Sequence, residues 1–273
     1  MNCEVREKRD LRMPEEVYFR ETGVCRYSLL DGTEIVGVSG NTWEEYFDLL
    51  KSVSPAEKFV VSPELITYTG ESFGEMQKNK DMISKRLDRL FEFSVTRPDM
   101  TLVVGTPLFV DGDKPRNSAL LIKNGEIIGI TNKRSGATEE ENRCFDLIAE
   151  EAPLLIPGTK TALLICADMP TACLYVGCDK ELLVETLRLS KRQHLIGKKV
   201  NFISPSATSL LVIACWGVGG QWMREGKEDE YYRMQLCNIA WRMMRETKIK
   251  EVIIVDRSPN SLIEPYNGII RLA

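Results

Sequence analysis

Three short apolar runs in this chain each end in a side chain able to take part in covalent chemistry. TALLIC places Cys166 at the end of one run, KFVVS leads through Pro63 to Glu64, and the run ending in GITN delivers Lys133. A thiol, a carboxyl group and an ammonium group are the minimum set for nucleophilic catalysis. The thiol attacks, the carboxylate takes its proton, and the cation with a backbone N–H, such as that of Ala167, stabilises the oxyanion. Taken one at a time the three are ordinary. A cysteine at the end of an apolar strand is usually a small buried hydrophobe, and a charge at a strand end is usually solvated. Their common placement is what calls for explanation.

The surrounding elements are those of a layered α/β protein. GTEIVGVSG reads as a first strand after an irregular N-terminal segment of about residues 1–30. Thr42-Trp43-Glu44-Glu45 then has the form of a capping box opening a helix that buries Trp43, Tyr46, Phe47 and Leu50. A helix follows from about Ser72 to Ser94, with Ile83, Leu87, Leu90 and Phe91 at helical spacing. TLVVG is a strand, and SALLIKNGEIIGI is a hairpin whose Asn124-Gly125 supplies the positive φ angles of a two-residue turn. TALLIC, SLLVIAC and EVIIVD are further strands, separated by helical patterns at 181–194 and about 229–247; in the second, Tyr232, Leu236, Ile239 and Met243 form the buried stripe. The hairpin excludes a purely parallel sheet. With no linker or repeat between segments, one domain over 1–273 with mixed sheets is the expected organisation.

Composition removes several classes of function. Lys and Arg number 36 against 40 Asp and Glu, a net charge of −4 that offers neither nucleic acid nor an anionic membrane a general attraction. A small, uncharged or weakly polar substrate is expected instead. The uncharged stretch Val200 to Met223 is interrupted by Asn201, Ser204, Pro205, Ser206, Thr208, Ser209 and Gln221, so its apolar part falls far short of the ~20 residues a spanning helix needs. A buried strand with a neighbouring loop is the reading. The charged start MNCEVREKRD lacks the apolar centre of an export signal, which points to the cytoplasm. Eight cysteines without a CxxC pair, and a single histidine, make a zinc site a poor fit. No GxGxxG or Walker sequence is present, so no cofactor is expected.

The order Glu64, Lys133, Cys166 resembles the Glu–Lys–Cys triad of the nitrilase (carbon–nitrogen hydrolase) superfamily. FVVSPEL resembles that family's glutamate motif, VVGTPLFVDGDKPRNSALLIKNGEIIGITNKR its lysine-bearing segment with Asn117-Ser118 and Gly125 as landmarks, and LLICAD its cysteine motif. The resemblance implies a four-layer αββα sandwich, assembly as a homodimer or higher homo-oligomer, and hydrolysis of a small amide, carbamoyl or nitrile substrate through a thioester. It also implies a second glutamate soon after the lysine. Glu141 has that spacing, with Glu139 and Glu140 as neighbours that compete for the assignment. Lys133 beside the thiol is then expected to lower the cysteine pKa.

There are departures from the pattern. Ala167 stands where the family has a larger residue, Arg134-Ser135-Gly136 follows the lysine without the customary leucine, and the segment between Cys166 and SLLVIAC is longer than usual. Two other readings stay open at this stage. One is a catalytically inactive relative that binds or scaffolds. The other is a Cys–His hydrolase pairing Cys166 or Cys215 with His194, which sits in the basic run KRQHLIGKK and otherwise reads as a surface helix residue.

Overall fold

The computed structural model describes residues 23–40, 42–68, 72–110, 114–150, 152–190, 192–215, 238–257 and 267–272. Two mixed sheets make up its centre. The first comprises β1 (Gly23–Ser28), β2 (Glu34–Ser39), β3 (Phe59–Val61), β4 (Thr101–Leu108), β5 (Arg116–Lys123) and β6 (Glu126–Asn132), in that spatial order. Strands β2, β3 and β4 run parallel, and antiparallel partners flank them. The second sheet has the order β10-β9-β8-β7, from β7 (Thr161–Ile165), β8 (Ser209–Ala214), β9 (Glu251–Arg257) and β10 (Asn267–Leu272). Its first three strands are parallel, and β10 is antiparallel.

Strand periodicity builds the layers, because successive side chains point to opposite faces. In the first sheet Val60, Leu102, Val104, Leu120 and Ile122 pack with Trp43, Tyr46 and Leu50 of α1 (Trp43–Ser52) and Leu90 of α2 (Lys80–Val95). The alternate residues Val61, Val103, Ala119 and Leu121 join Leu163, Leu211 and Ile253 of the second sheet in one core. That core also takes in Ala172 of α4 (Asp168–Gly177), Leu187 of α5 (Lys180–Leu189), and Ala240 and Met243 of α6, the helix over 238–246. The result is a four-layer αββα sandwich. Leu210, Leu211, Val212 and Ile213 of β8 are wholly buried, each contributing about 1.5–3 kcal/mol relative to exposure.

Local signals set the element boundaries. Thr42 accepts the Glu45 N–H at 3.1 Å and starts α1 as its cap. Asn124 at φ +49° and Gly125 at φ +77° form the two-residue turn between β5 and β6. The Gly125 N–H donates to Ser94 Oγ at 2.7 Å, tying the hairpin tip to α2.

The structure departs from the sequence reading in several places. Residues 23–28, read as irregular, form β1 against β2; Cys25 is the only buried residue of this edge strand, so no alternation betrays it. The helix expected from about Ser72 opens as a 3-10 turn, Phe73–Asn79, before α2. The pattern at 181–194 splits into α5 and a short 3-10 turn, Gln193–Leu195, while α4 and β10 have no counterpart in the reading. Of the later helical stripe, Ile239 and Met243 lie on α6, whereas Tyr232 and Leu236 fall outside the described residues. Among the described residues no helix is long and apolar enough to cross a membrane.

Candidate active site

Glu64 is held between the two sheets by its own backbone. Past the end of β3 the chain follows β4, with Ser62 N–H donating to Val103 O and Ile66 N–H to Gly105 O, both at 2.8 Å. Between those contacts Leu65 adopts φ +56°, and Glu64 N–H reaches across to Ala214 O at the end of β8, at 3.3 Å. Gly105 makes this detour feasible. A Cβ there would lie 2.5 Å from both Glu64 Cα and Pro63 O, backbone atoms that cannot swing aside. We therefore expect Gly105→Ala to destabilise the fold by about 1–3 kcal/mol, the usual range for overpacking. It should also cut any Glu64-dependent turnover on the order of 100-fold, since small displacements of a reacting group are costly. Denaturant titration and steady-state kinetics check the two effects separately, and wild-type values in both would refute the packing argument.

Lys133 immediately follows β6, and its N–H donates to Asn117 O at 2.7 Å, prolonging the β5–β6 ladder by one residue. Glu141 lies in the first turn of α3 (Glu139–Cys144), whose cap Thr138 accepts the Glu141 N–H at 3.1 Å. Glu141 Oε2 accepts the Ala137 N–H at 2.6 Å, which leaves Oε1 facing inward. Of the three adjacent glutamates, Glu141 alone is buried.

These side chains close into one network. Lys133 Nζ donates to Glu64 Oε1 at 2.8 Å and also to Glu141 Oε1. Asn117 Nδ2 donates to the same two oxygens, at 2.6 Å and 3.3 Å. One ammonium and one amide thus bridge two carboxylates, all four side chains being buried. Such burial is tolerable only because opposite charges and hydrogen bonds replace the lost water. Glu64 Oε2 is buried with no hydrogen-bond partner among the described residues.

Cys166 follows β7 directly, its N–H donating to Ile213 O of β8 at 2.8 Å. Its φ is +44°, in the left-handed region that costs a non-glycine residue about 1 kcal/mol or more and recurs at functional sites. The next residue, Ala167, caps α4, so its N–H belongs to the group a helix start leaves without an intrahelical acceptor. The thiol is in electrostatic contact with the network. Burial pushes its pKa well up, Glu64 and Glu141 push it further, and Lys133 and the Cys215 backbone N–H oppose them. Sequence had led us to expect a thiol lowered by its lysine. The lysine does act in that direction, but burial and two carboxylates outweigh it, so the sulfur holds its proton more tightly than a free thiol does. Glu64 is itself raised above the usual carboxylate range, by burial first and Glu141 second, against Lys133 and Asn117.

A second group of side chains joins the lysine loop to the cysteine turn. Asp168 Oδ1 accepts the N–H groups of Arg134 and Ser135, each at 2.9 Å, and the Ser135 hydroxyl at 3.2 Å. Its Oδ2 lies 3.7 Å from Arg134 Nη1. Burial raises Asp168 to about 6 despite Arg134 and Lys133 nearby. Asn117 had been noted only as a landmark, and Asp168, Arg134 and Ser135 had no assigned part in the site. Their signal was adjacency, two residues after the cysteine and one or two after the lysine.

Other sequence candidates lie elsewhere. His194 Nε2 donates to Arg134 O at 2.8 Å from a half-buried 3-10 turn, so it is engaged with a carbonyl rather than with a thiol. The Thr67 hydroxyl pairs with Thr106 at 2.6 Å and the Tyr68 hydroxyl donates to Ser72 O at 2.5 Å, so both are engaged within the protein. Trp216 and Trp222, which with Gly217, Gly219 and Gly220 read in the sequence as candidates to line a pocket after SLLVIAC, fall outside the described residues.

No protein-family model matches this sequence, and no curated protein is significantly similar to it. Solved structures are similar in fold. A carbon–nitrogen hydrolase from Helicobacter pylori is 15% identical, with 85% of this chain and 82% of that one covered and a TM-score of 0.53. An amidase from Nesterenkonia sp., also 15% identical, aligns over 87% of this chain and 89% of its own with a TM-score of 0.56. That amidase belongs to the nitrilase superfamily; a cysteine-to-alanine variant of it has been solved with butyramide. A glutamate-to-leucine variant carries the acetamide moiety of fluoroacetamide on its active-site cysteine. The chain spans 34% of the length of a glutamine-dependent NAD+ synthetase from Acinetobacter baumannii, which is 17% identical over 78% of this chain with a TM-score of 0.47. The fold described above is thus the mixed-sheet α/β sandwich of the nitrilase-type carbon–nitrogen hydrolases.

Proposed function

We propose that this protein hydrolyses non-peptide carbon–nitrogen bonds of small amide or carbamoyl substrates through a thioester on Cys166. The observation that carries the reading is the buried Glu64–Lys133–Glu141–Asn117 network acting on a thiol held in a left-handed turn. A raised thiol pKa calls for a base in contact with it, and the unpartnered Oε2 of Glu64 is free to take that proton. Cys166 attacks the carbonyl carbon, and the oxyanion is stabilised by Lys133 together with a backbone N–H at the ends of β7 and β8. As the tetrahedral intermediate collapses, Glu64 returns its proton to the departing amine. It then takes a proton from the water that cleaves the thioester and passes it to the sulfur as the acid leaves. Glu141 fixes the ammonium of Lys133 from the opposite side.

A binding or scaffold protein has no use for this buried charge cluster, whose retention favours an enzyme. The exposed Val176, Leu182 and Leu189 on α4 and α5 support a homodimer formed through that layer. The proposal is tested by measuring ammonia release from a panel of amides, ureido compounds and nitriles. We expect amides to exceed their matched nitriles in kcat/KM, because the proton Glu64 delivers to a leaving amine is needed only by an amide. A consistent preference for nitriles would reverse this assignment, and no ammonia from any of them would remove the hydrolase reading.

A further inference from the structure

The turn after α5 presents a cation to the site that nothing described so far uses. Arg192 donates its N–H to Leu187 O at 2.8 Å, which folds the chain back at the end of the helix. Two residues later His194 fastens the same turn to the carbonyl of Arg134, the residue next to Lys133. The residue is half-buried, and the charges of Glu141, Asp168 and Cys166 act on its guanidinium. None of them lies within ion-pair distance. Among the described residues Arg192 has no side-chain partner at all, and its Nε is buried without an acceptor.

The guanidinium stays charged at any accessible pH, and a half-buried cation whose Nε has no acceptor is left short of a hydrogen bond that a counter-ion can complete. The two buried cations near the thiol already have theirs: Lys133 is held by Glu64 and Glu141, and Arg134 faces Asp168. A planar fork in a turn fastened beside the lysine loop fits a carboxylate, which it can grip with two parallel hydrogen bonds. Arg192 also belongs to the segment between Cys166 and β8, which is longer than in the family pattern that the sequence resembles.

We propose that Arg192 anchors the carboxylate of the substrate, so that the site selects amides bearing an acidic group a few carbons from the scissile bond. This rests on the hydrolase reading above. It also replaces the uncharged substrate suggested by overall composition, since a net charge of −4 says nothing about one unpartnered arginine in the turn beside the lysine loop.

The test compares succinamate, glutaramate and adipamate with butyramide, valeramide and hexanamide, pairs that differ in a carboxylate for a methyl group. The wild-type enzyme is expected to favour the best acidic amide over its neutral partner by about 10- to 100-fold in kcat/KM, the usual worth of a charge-assisted hydrogen bond. Arg192→Gln should lose that preference through KM, leaving the neutral amides within about threefold of wild type, and Arg192→Lys should recover part of it. Equal use of both series by the wild type, or an equal fall in kcat for both in Arg192→Gln, would overturn the proposal and make Arg192 a fixed counter-charge. Calorimetric titration of the same six compounds into Cys166→Ala protein separates this from the hydrolase reading. Arg192-dependent binding of an acidic amide without turnover by the wild type keeps the anchor and loses the hydrolase. Turnover of both series without preference does the reverse, and no binding of any acidic amide refutes the anchor directly.

Discussion

Cys166→Ala is expected to lower amide hydrolysis by at least about 10⁴-fold while the protein remains folded. Removing the nucleophile of a covalent mechanism deletes the bond-forming step, and what survives is only the assistance given by positioning and oxyanion donors. The fold should tolerate the change because the alanine occupies less space than the thiol. Its backbone also faces the same left-handed φ of +44° as the cysteine did, so no new strain arises. A loss of about 1 kcal/mol in stability is anticipated from the vacated volume. Cys178→Ala, at the C-cap of α4 and half-buried, should leave kcat/KM within about twofold of wild type by the usual mildness of such sites. Steady-state kinetics on both variants, with circular dichroism to confirm folding, decides the matter. Full activity in Cys166→Ala would dispose of the thioester mechanism.

Lys133→Met should be the most damaging change to the fold itself. Its ammonium is the shared counter-ion of Glu64 and Glu141, and removing one partner of a buried ion pair typically costs about 3–5 kcal/mol because the other charge is left uncompensated. The effect should depend on pH with a definite sign. Glu64 is already raised by burial, and without the lysine that opposes this its folded-state pKa would lie further above the unfolded value of about 4.3. Its contribution would then be fully present below about 4.3 and lost as pH rises through the raised folded-state value. The stability deficit against wild type should therefore be small near pH 4 and largest at neutral pH and above. Adding Glu141→Gln to Lys133→Met should recover part of the stability and none of the activity, since one buried charge is removed and the oxyanion cation is still missing. Urea titrations at several pH values would show this, and a deficit that did not change with pH would mean the network is not held by charge.

The Glu64–Lys133 contact joins residues 69 apart in the chain, and the bond from Asp168 Oδ1 to Arg134 N spans 34. No local pattern announces contacts of that range. Resemblance to a family picked out Glu64, Lys133, Cys166 and Glu141, while residue-level reasoning alone reached only the first three, as polar ends of apolar runs. Asn117 completes the network because β5 pairs in register with β6, so that Asn117 O receives the N–H of Lys133 and the Asn117 amide arrives beside its ammonium. Arg192 was visible only as one charge in a basic run.

Elements whose cause lies within a few residues were determined by the sequence alone. The apolar runs KFVVS, TALLIC and SLLVIAC became strands, Thr42 capped α1, and Asn124-Gly125 turned the hairpin, because backbone preference and capping act between near neighbours. Strand β1 escaped notice because an edge strand with one fully buried side chain carries no alternation to read. The tertiary structure alone decided which way the Cys166 pKa moves, which hydroxyls are already engaged, and that Arg192 has no side-chain partner among the described residues. Each of these depends on burial and on charges brought together from distant parts of the chain, and electrostatic energies are set by distance and dielectric in the folded state rather than by order along the sequence.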